Sequence, residues 1–285
     1  MLNEVGLYFN NTTTTNGPGK VCSNLLLGLE RLGVDYKENV MTKYTGCLQK
    51  VPDIPYSNWP DYGDNFLLGP NLFVLPCDVP PSFWETPRRL VVPSQWVKDV
   101  YYEYLDSKHT IDVWASGIET ERFIPSDSKP TSDCLIYFKN GPAEKLKELI
   151  SILEEKSLTY KQITYGSYSE DEFIQLAQSS RFGVTITATE SQGIAYQEML
   201  SMNLPLYVLD KQVWDDRPGI SAPASSAPYF DGRCGIKSSD FGCFNLFLNQ
   251  LQSFKPREYI LENLTLEKCA SEYISLLEFC NDQRT

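Results

Sequence analysis

Between residues 134 and 210 the sequence alternates apolar runs of strand length with runs of helical period, joined by short loops. The strand runs fall at 134–138, 160–165, 182–187 and 204–209. The helical runs fall at 143–156, 170–180 and 191–203. Strands that follow one another through helices pair in parallel, and a parallel sheet must be covered on both faces. This pattern excludes an all-helical or sandwich fold for the second half of the chain. It also says where a ligand goes: outside the carboxyl ends of the strands, in the loops after residues 138, 165 and 187.

The first half carries the same pattern more loosely. Residues 5–9 read as a strand, 10–16 as a polar Thr-rich stretch, Gly17-Pro18-Gly19 as a tight turn, and 20–32 as a helix. Val21, Leu25, Leu29 and Leu32 recur at helical spacing and form its apolar stripe. Strand, glycine loop and helix in that order can set backbone N–H groups against a phosphate, though a plain turn is the simpler reading. It is no Walker loop, since Thr14 stands where the first glycine would be and Val21 follows Gly19-Lys20. Cys22 takes the third-glycine place of G-x-G-x-x-G. Further strands are expected at 71–75, 90–92 and 110–115, with a helix from 95 to about 105. Residues 50–63 are rich in Pro and aromatics (Pro52, Pro55, Tyr56, Trp59, Pro60, Tyr62) and read either as a sugar-stacking loop or as a covering loop. A polar Ser/Pro/Asp linker at 126–133 places the boundary between two α/β domains, 1–128 and 129–285. The second ends in helices at 241–254 and 266–280.

Composition narrows the function. The 285 residues include 25 basic and 37 acidic ones, for a net charge of −12. A nucleic-acid or anionic-membrane surface would be basic, so neither partner is expected. No stretch is long and apolar enough to span a bilayer, and the first residues lack a basic n-region, so a cytoplasmic location is expected. The eight cysteines are irregularly spaced without C-x-x-C, and His109 is the only histidine, so no metal site is expected.

The stretch 188–210 concentrates the chemistry. Ser191 reads as the helix cap, with Gly193 in the first turn, and Asn203 and Pro205 end the helix. Glu190 lies before this helix and Glu198 about one and a half turns into it. The helix start offers free N–H groups to an anion, while each carboxylate can accept sugar hydroxyls. A ligand with a central diphosphate and hydroxyls at both ends suits that arrangement.

The wording E-S-Q-G-I-A-Y-Q-E-M-L-S-M-N-L-P-L resembles the donor-sugar motif of retaining GT-B glycosyltransferases of the family-four type. V-P-S-Q-W-V at 92–97 and G-I-E-T-E-R-F-I-P at 117–125 resemble the closing segments of that family's first domain. The resemblance implies two Rossmann-like domains whose parallel sheets face a central cleft, with the acceptor on the first domain and the nucleotide-sugar on the second. It implies that Glu190 contacts donor-sugar hydroxyls and Glu198 the ribose. Ser191, Gln192, Gly193 and Ile194 would surround the donor, and Gly17 and Gly19 would face its diphosphate. Lys139 and Lys145 would also reach the diphosphate, Lys139 standing where the family has Arg and so lacking the bidentate fork. Gly166 and Tyr168, in a G-x-x-S-x-E-E-like loop, would lie near the base.

The chain departs from the family in two places. A further strand–helix unit between the Lys145 helix and the 160–165 strand is missing. The histidine that many members place near the donor sugar is also missing; Asp78 stands at the corresponding strand end and is the candidate to replace it catalytically. The implied activity is transfer of a sugar from a nucleotide-diphosphate sugar, as substrate, to a hydroxyl of a glycan, lipid-linked or small-molecule acceptor. No cofactor is expected, and without a D-x-D motif neither is a metal on the diphosphate. A nucleotide-sugar epimerase or hydrolase, and a non-catalytic sugar-binding protein, are the alternatives.

Overall fold

The computed structural model describes residues 2–10, 12–13, 16–49 and 66–282, so the aromatic loop at 50–63 and Thr14 lie outside the described residues. The chain divides into two compact units, Met1–Gly117 together with Leu264–Thr285, and Ile118–Asn263.

The first unit holds β1 (Glu4–Tyr8), α1 (Gly17–Arg31), β2 (Asp35–Glu38), β3 (Thr45–Gln49), β4 (Phe66–Asn71), β5 (Arg89–Val92), α2 (Gln95–Tyr102) and β6 (Thr110–Val113). Its strands form one parallel sheet in the order β2-β1-β3-β4-β5-β6. The α1 stripe is buried at Val21, Leu25 and Leu29, while Leu32 falls past the helix end and is exposed. The strand expected at 71–75 lies earlier, at Phe66–Asn71. Gly69-Pro70 lies within it, where the β3–β4 ladder shifts register between Cys47 and Gln49.

The second unit holds β7 (Ser132–Lys139), α3 (Ala143–Glu155), β8 (Tyr160–Thr164), α4 (Glu170–Gln178), β9 (Ser180–Thr187), α5 (Ile194–Ser201) and β10 (Leu206–Leu209). It continues with β11 (Val213–Arg217), β12 (Ile220–Pro223), β13 (Gly235–Ser238), α6 (Phe244–Gln250) and α7 (Pro256–Asn263). The sheet is parallel throughout, in the order β13-β10-β9-β7-β8. Cys134, Ile136, Phe182, Val184 and Ile186 line one face and pack on Leu149 and Leu153 of α3 and Phe244 and Phe247 of α6. Each Val, Leu, Ile or Phe among them, fully buried, contributes about 1.5–3 kcal/mol. The Pro/Ser/Ala-rich stretch 211–231 contains the antiparallel β11–β12 hairpin, and β13 follows as an edge strand.

The last helix, α8 (Leu266–Asp282), packs on α1 and belongs to the first unit, whereas the sequence reading assigned 266–280 to the second domain. Glycine permits this. A Cβ at Gly28 would lie 2.6 Å from the Leu266 carbonyl oxygen, and one at Gly46 would lie 2.2 Å from the Tyr273 hydroxyl. Trp114 Nε1 donates to the Cys269 carbonyl at 2.8 Å, and Arg31 pairs with Glu267 at 3.1 Å. Among the described residues no helix is long and apolar enough to cross a membrane.

Candidate functional site

In the second unit β7 lies between β8 and β9. The chain goes from β7 to β8 on one side and returns to β9 on the other, so the gap between the ends of β7 and β9 is a topological switch point, where open parallel sheets bind ligands. Lys139 is the last residue of β7, and Glu190 lies in the loop just past β9. The structure brings them together: Lys139 Nζ is 2.7 Å from Glu190 Oε1. The ammonium also sits 4.5 Å from the ring centre of Tyr165, which directly follows β8. Three loops that the sheet order predicts to be adjacent thus contribute one cluster.

Tyrosines underlie the pair. The Tyr137 ring meets those of Tyr168 and Tyr196 edge-on, at 6.3 and 6.0 Å, and Tyr168 stacks on Phe173 of α4 at 5.6 Å. The Tyr196 hydroxyl bonds to Thr187 Oγ1. Burial, with Tyr168 and Glu190 adding to it at Tyr137 and Glu190 at Tyr196, raises both phenols, so they stay protonated. Neither Tyr165 nor Tyr196 was singled out from the sequence; only their places at a strand end and on the motif helix mark them.

The Glu190 side chain is 14% exposed. Burial pushes its carboxyl above the ordinary range, and the Lys139 charge and hydrogen bond oppose that rise. The sign of the pH effect follows. Folded Glu190 holds its proton more tightly than the unfolded chain does. The site's contribution is therefore fully present below the unfolded value and lost as pH rises through the folded one. Lys139→Met removes the opposing charge. It should match wild type near pH 4 and fall behind by about 1–3 kcal/mol toward pH 8. Urea unfolding across that range checks this; a pH-independent deficit, or one that persists in Lys139→Met/Glu190→Gln, contradicts it.

Helix α5 begins differently from the sequence reading. Gly193 is its cap, at φ 72° in the left-handed region, and Ser191 is exposed and makes no cap. A left-handed residue right before the helix fits Gly and reverses the chain there, leaving 188–192 as a separate loop. Within it the Gln192 carbonyl accepts from Gln197 Nε2 at 2.7 Å, and Gln192 and Ile194 are buried. Glu198, on α5, is 3% exposed.

The remaining candidates have partners of their own. Lys145 pairs with Glu148 at 2.8 Å and lies 6.0 Å from the Phe241 ring centre, so its partners differ from those of Lys139. Gly166, at φ 80°, turns the exposed loop after β8. In the first unit, Asn16 caps α1 by accepting from the Gly19 N–H at 2.9 Å, and Gly17 opens the helix. Gln49, at the end of β3, donates to the Pro18 carbonyl at 2.8 Å and accepts from the Asn10 N–H at 3.3 Å. It ties the glycine loop across the switch point between β1 and β3, a role the sequence did not reveal. The Asp78 carboxylate accepts from the Leu75 N–H at 2.9 Å and closes its own 3-10 turn. His109 is buried edge-on to Trp84, where burial lowers its pKa, and its Nδ1 accepts from the Arg88 N–H at 3.2 Å. Among the described residues no group of three or more His, Cys, Asp and Glu is arranged to hold a metal.

No family model matches the sequence, and no curated protein does. Solved structures do. Sucrose-phosphate synthase from Thermosynechococcus elongatus superposes with a TM-score of 0.58 over 99% of this chain and 100% of its own, at 8% identity. The lipopolysaccharide outer core galactosyltransferase WaaB, in its apo form, gives 0.55 over 97% and 99%, at 8% identity. An alpha-glucosyltransferase in complex with UDP and a 13-mer DNA containing a HMU base gives 0.53 over 98% and 100%, at 8% identity. At such identities the likeness is one of fold: the chain has the GT-B fold of these glycosyltransferases.

Proposed function

We propose that this protein is a glycosyltransferase that moves a sugar from a nucleotide-diphosphate sugar to a hydroxyl acceptor, with retention at the anomeric carbon and without a metal. The observation that carries the reading is the Lys139–Glu190 pair at the β7/β9 switch point, joined through its loop to the helix bearing Glu198. An ammonium and a mostly buried carboxylate at one strand end suit a ligand with both a diphosphate and hydroxyls. In this reading Lys139 and the amides at the start of α5 stabilise the leaving diphosphate electrostatically. Glu190 orients the donor sugar, Glu198 holds the ribose, and the departing phosphate takes the acceptor proton. Asp78, which closes its own turn through one carboxylate oxygen, is kept as the candidate to stand in for the histidine. The solved neighbours, including one named as bound to UDP, support donor chemistry of this class. One neighbour also holds DNA. With a net charge of −12, we assign this chain a glycan, lipid-linked or small-molecule acceptor instead.

The test is a thermal-shift screen with UDP-glucose, UDP-galactose, UDP-N-acetylglucosamine, GDP-mannose and ADP-glucose, followed by a nucleotide-release assay with and without candidate acceptors. A bound donor raises Tm by mass action. Acceptor-dependent release that persists in EDTA is the expected result. Release without acceptor marks a hydrolase, binding alone a non-catalytic protein, and loss in EDTA with rescue by Mg²⁺ or Mn²⁺ a metal site.

A further inference from the structure

The segment after the β11–β12 hairpin, residues 224–227, is laid back across the ends of β9 and β10. Asp210, just past β10, is 8% exposed. Its Oδ1 accepts from the Ser226 backbone N–H at 2.7 Å and from the Ser225 hydroxyl at 2.9 Å. Ser226 is fully buried; its hydroxyl donates to the Ala188 carbonyl at 3.0 Å and accepts from the Lys211 N–H at 2.9 Å. The Ser225 carbonyl accepts the N–H of Glu190 at 2.9 Å. Lys237 adds a bond to the Ala227 carbonyl at 3.2 Å.

The loop carrying Glu190 is therefore held at two points, Ala188 and Glu190, by one two-residue segment, and the Asp210 carboxylate accepts from both residues of that segment. Desolvating a carboxylate is costly unless donors satisfy it, and charge-assisted bonds to it are short and directional. Here both donors come from the segment that grips the Glu190 loop. Lys139 fixes the Glu190 side chain, and the Asp210 network fixes its backbone.

We propose that Asp210 is a positioning residue for Glu190, acting through Ser225 and Ser226, and that the β11–β12 excursion serves to deliver those two serines. The proposal rests on the reading of Glu190 as the donor-sugar contact. A displacement of about 1 Å at a reacting centre costs up to about a hundredfold in rate. Asp210→Ala should therefore lower kcat about ten- to hundredfold, with UDP affinity held within about twofold. Asp210→Asn keeps the acceptor oxygen and should recover most of that loss.

The experiment compares full-length wild type, Asp210→Ala, Asp210→Asn, Ser226→Ala, Glu190→Gln and Asp210→Ala/Glu190→Gln. Nucleotide release is measured with UDP-glucose, or with whichever donor in the set above is turned over. Amide hydrogen exchange over residues 187–193 is measured without any donor. The expected results are faster exchange at the Glu190 amide in Asp210→Ala and Ser226→Ala, recovery in Asp210→Asn, and a double variant no slower than Glu190→Gln alone. Unchanged exchange in both single variants, or a full additional rate loss in the double variant, overturns the proposal. If Asp210→Ala does not fold, Ser226→Ala carries the test, since it leaves the Asp210 bonds to Ser225 and to the Ser226 N–H in place. Wild-type turnover in Glu190→Gln defeats the reading of Glu190 instead, and the exchange data still decide the network.

Discussion

Glu190→Gln is expected to lower kcat about 10²- to 10³-fold while leaving the affinity for free UDP within about twofold. Gln keeps the shape of the side chain and one acceptor oxygen but gives up the charge that Lys139 holds at 2.7 Å. A hydroxyl hydrogen bond to an ionised carboxylate is stronger than one to an amide, and a contact that aligns the sugar is used most in the transition state. The loss therefore falls on kcat and kcat/KM together. The variant should fold, because burial already disfavours the Glu190 charge and a neutral side chain relieves that strain. Turnover with the best donor, beside calorimetry with UDP, measures both halves of the prediction. A weakened UDP affinity equal to the loss in rate would mean that Glu190 binds the nucleotide and not the sugar.

Glu198→Gln is expected to act oppositely, weakening UDP and the nucleotide-sugar alike by about ten- to hundredfold, with kcat at saturating donor nearly kept. Glu198 is 3% exposed on α5, so its carboxylate works in a dry setting where a hydrogen bond to a charged group contributes about 1.5–3 kcal/mol. In the proposed role the contact is the same in ground and transition states, and so sets affinity and not rate. Calorimetry with UDP and with the donor should return matching losses. Equal effects of the Glu190 and Glu198 substitutions on UDP binding would sink the division of labour between them.

The parts of the site legible in the sequence are those where local pattern and chemistry coincide. From β7 to β10 the strand–helix alternation is regular, so the loops after 138, 165 and 187 were expected at one sheet edge, and Lys139, Tyr165 and Glu190 lie there. The pairing of Lys139 with Glu190 depends on which strands are neighbours, which periodicity does not state. The hairpin was hidden because β11 and β12 show no sustained alternation and lie in a Pro/Ser/Ala-rich run. With it went the serines that hold the Glu190 loop. Edge strand β2 is exposed at every position, so it carries no apolar signal at all. A carboxylate on a helix usually faces solvent, so nothing in the sequence marks Glu198 as buried; the fold buries it. The attachment of α8 turns on small residues far away in sequence, Gly28 and Gly46, whose meaning lies in what approaches them.

That attachment gives the chain an order of assembly in the cell. Synthesis runs from the N-terminus, so all of Ile118–Asn263 has been made before Leu266 is added. Until then Trp114 lacks the Cys269 carbonyl that it will bond, and the notches over Gly28 and Gly46 stand open to water. The unit that is begun first is therefore the one completed last. Its closing contact spans nearly the whole chain, the kind of long-range pairing that slows folding most.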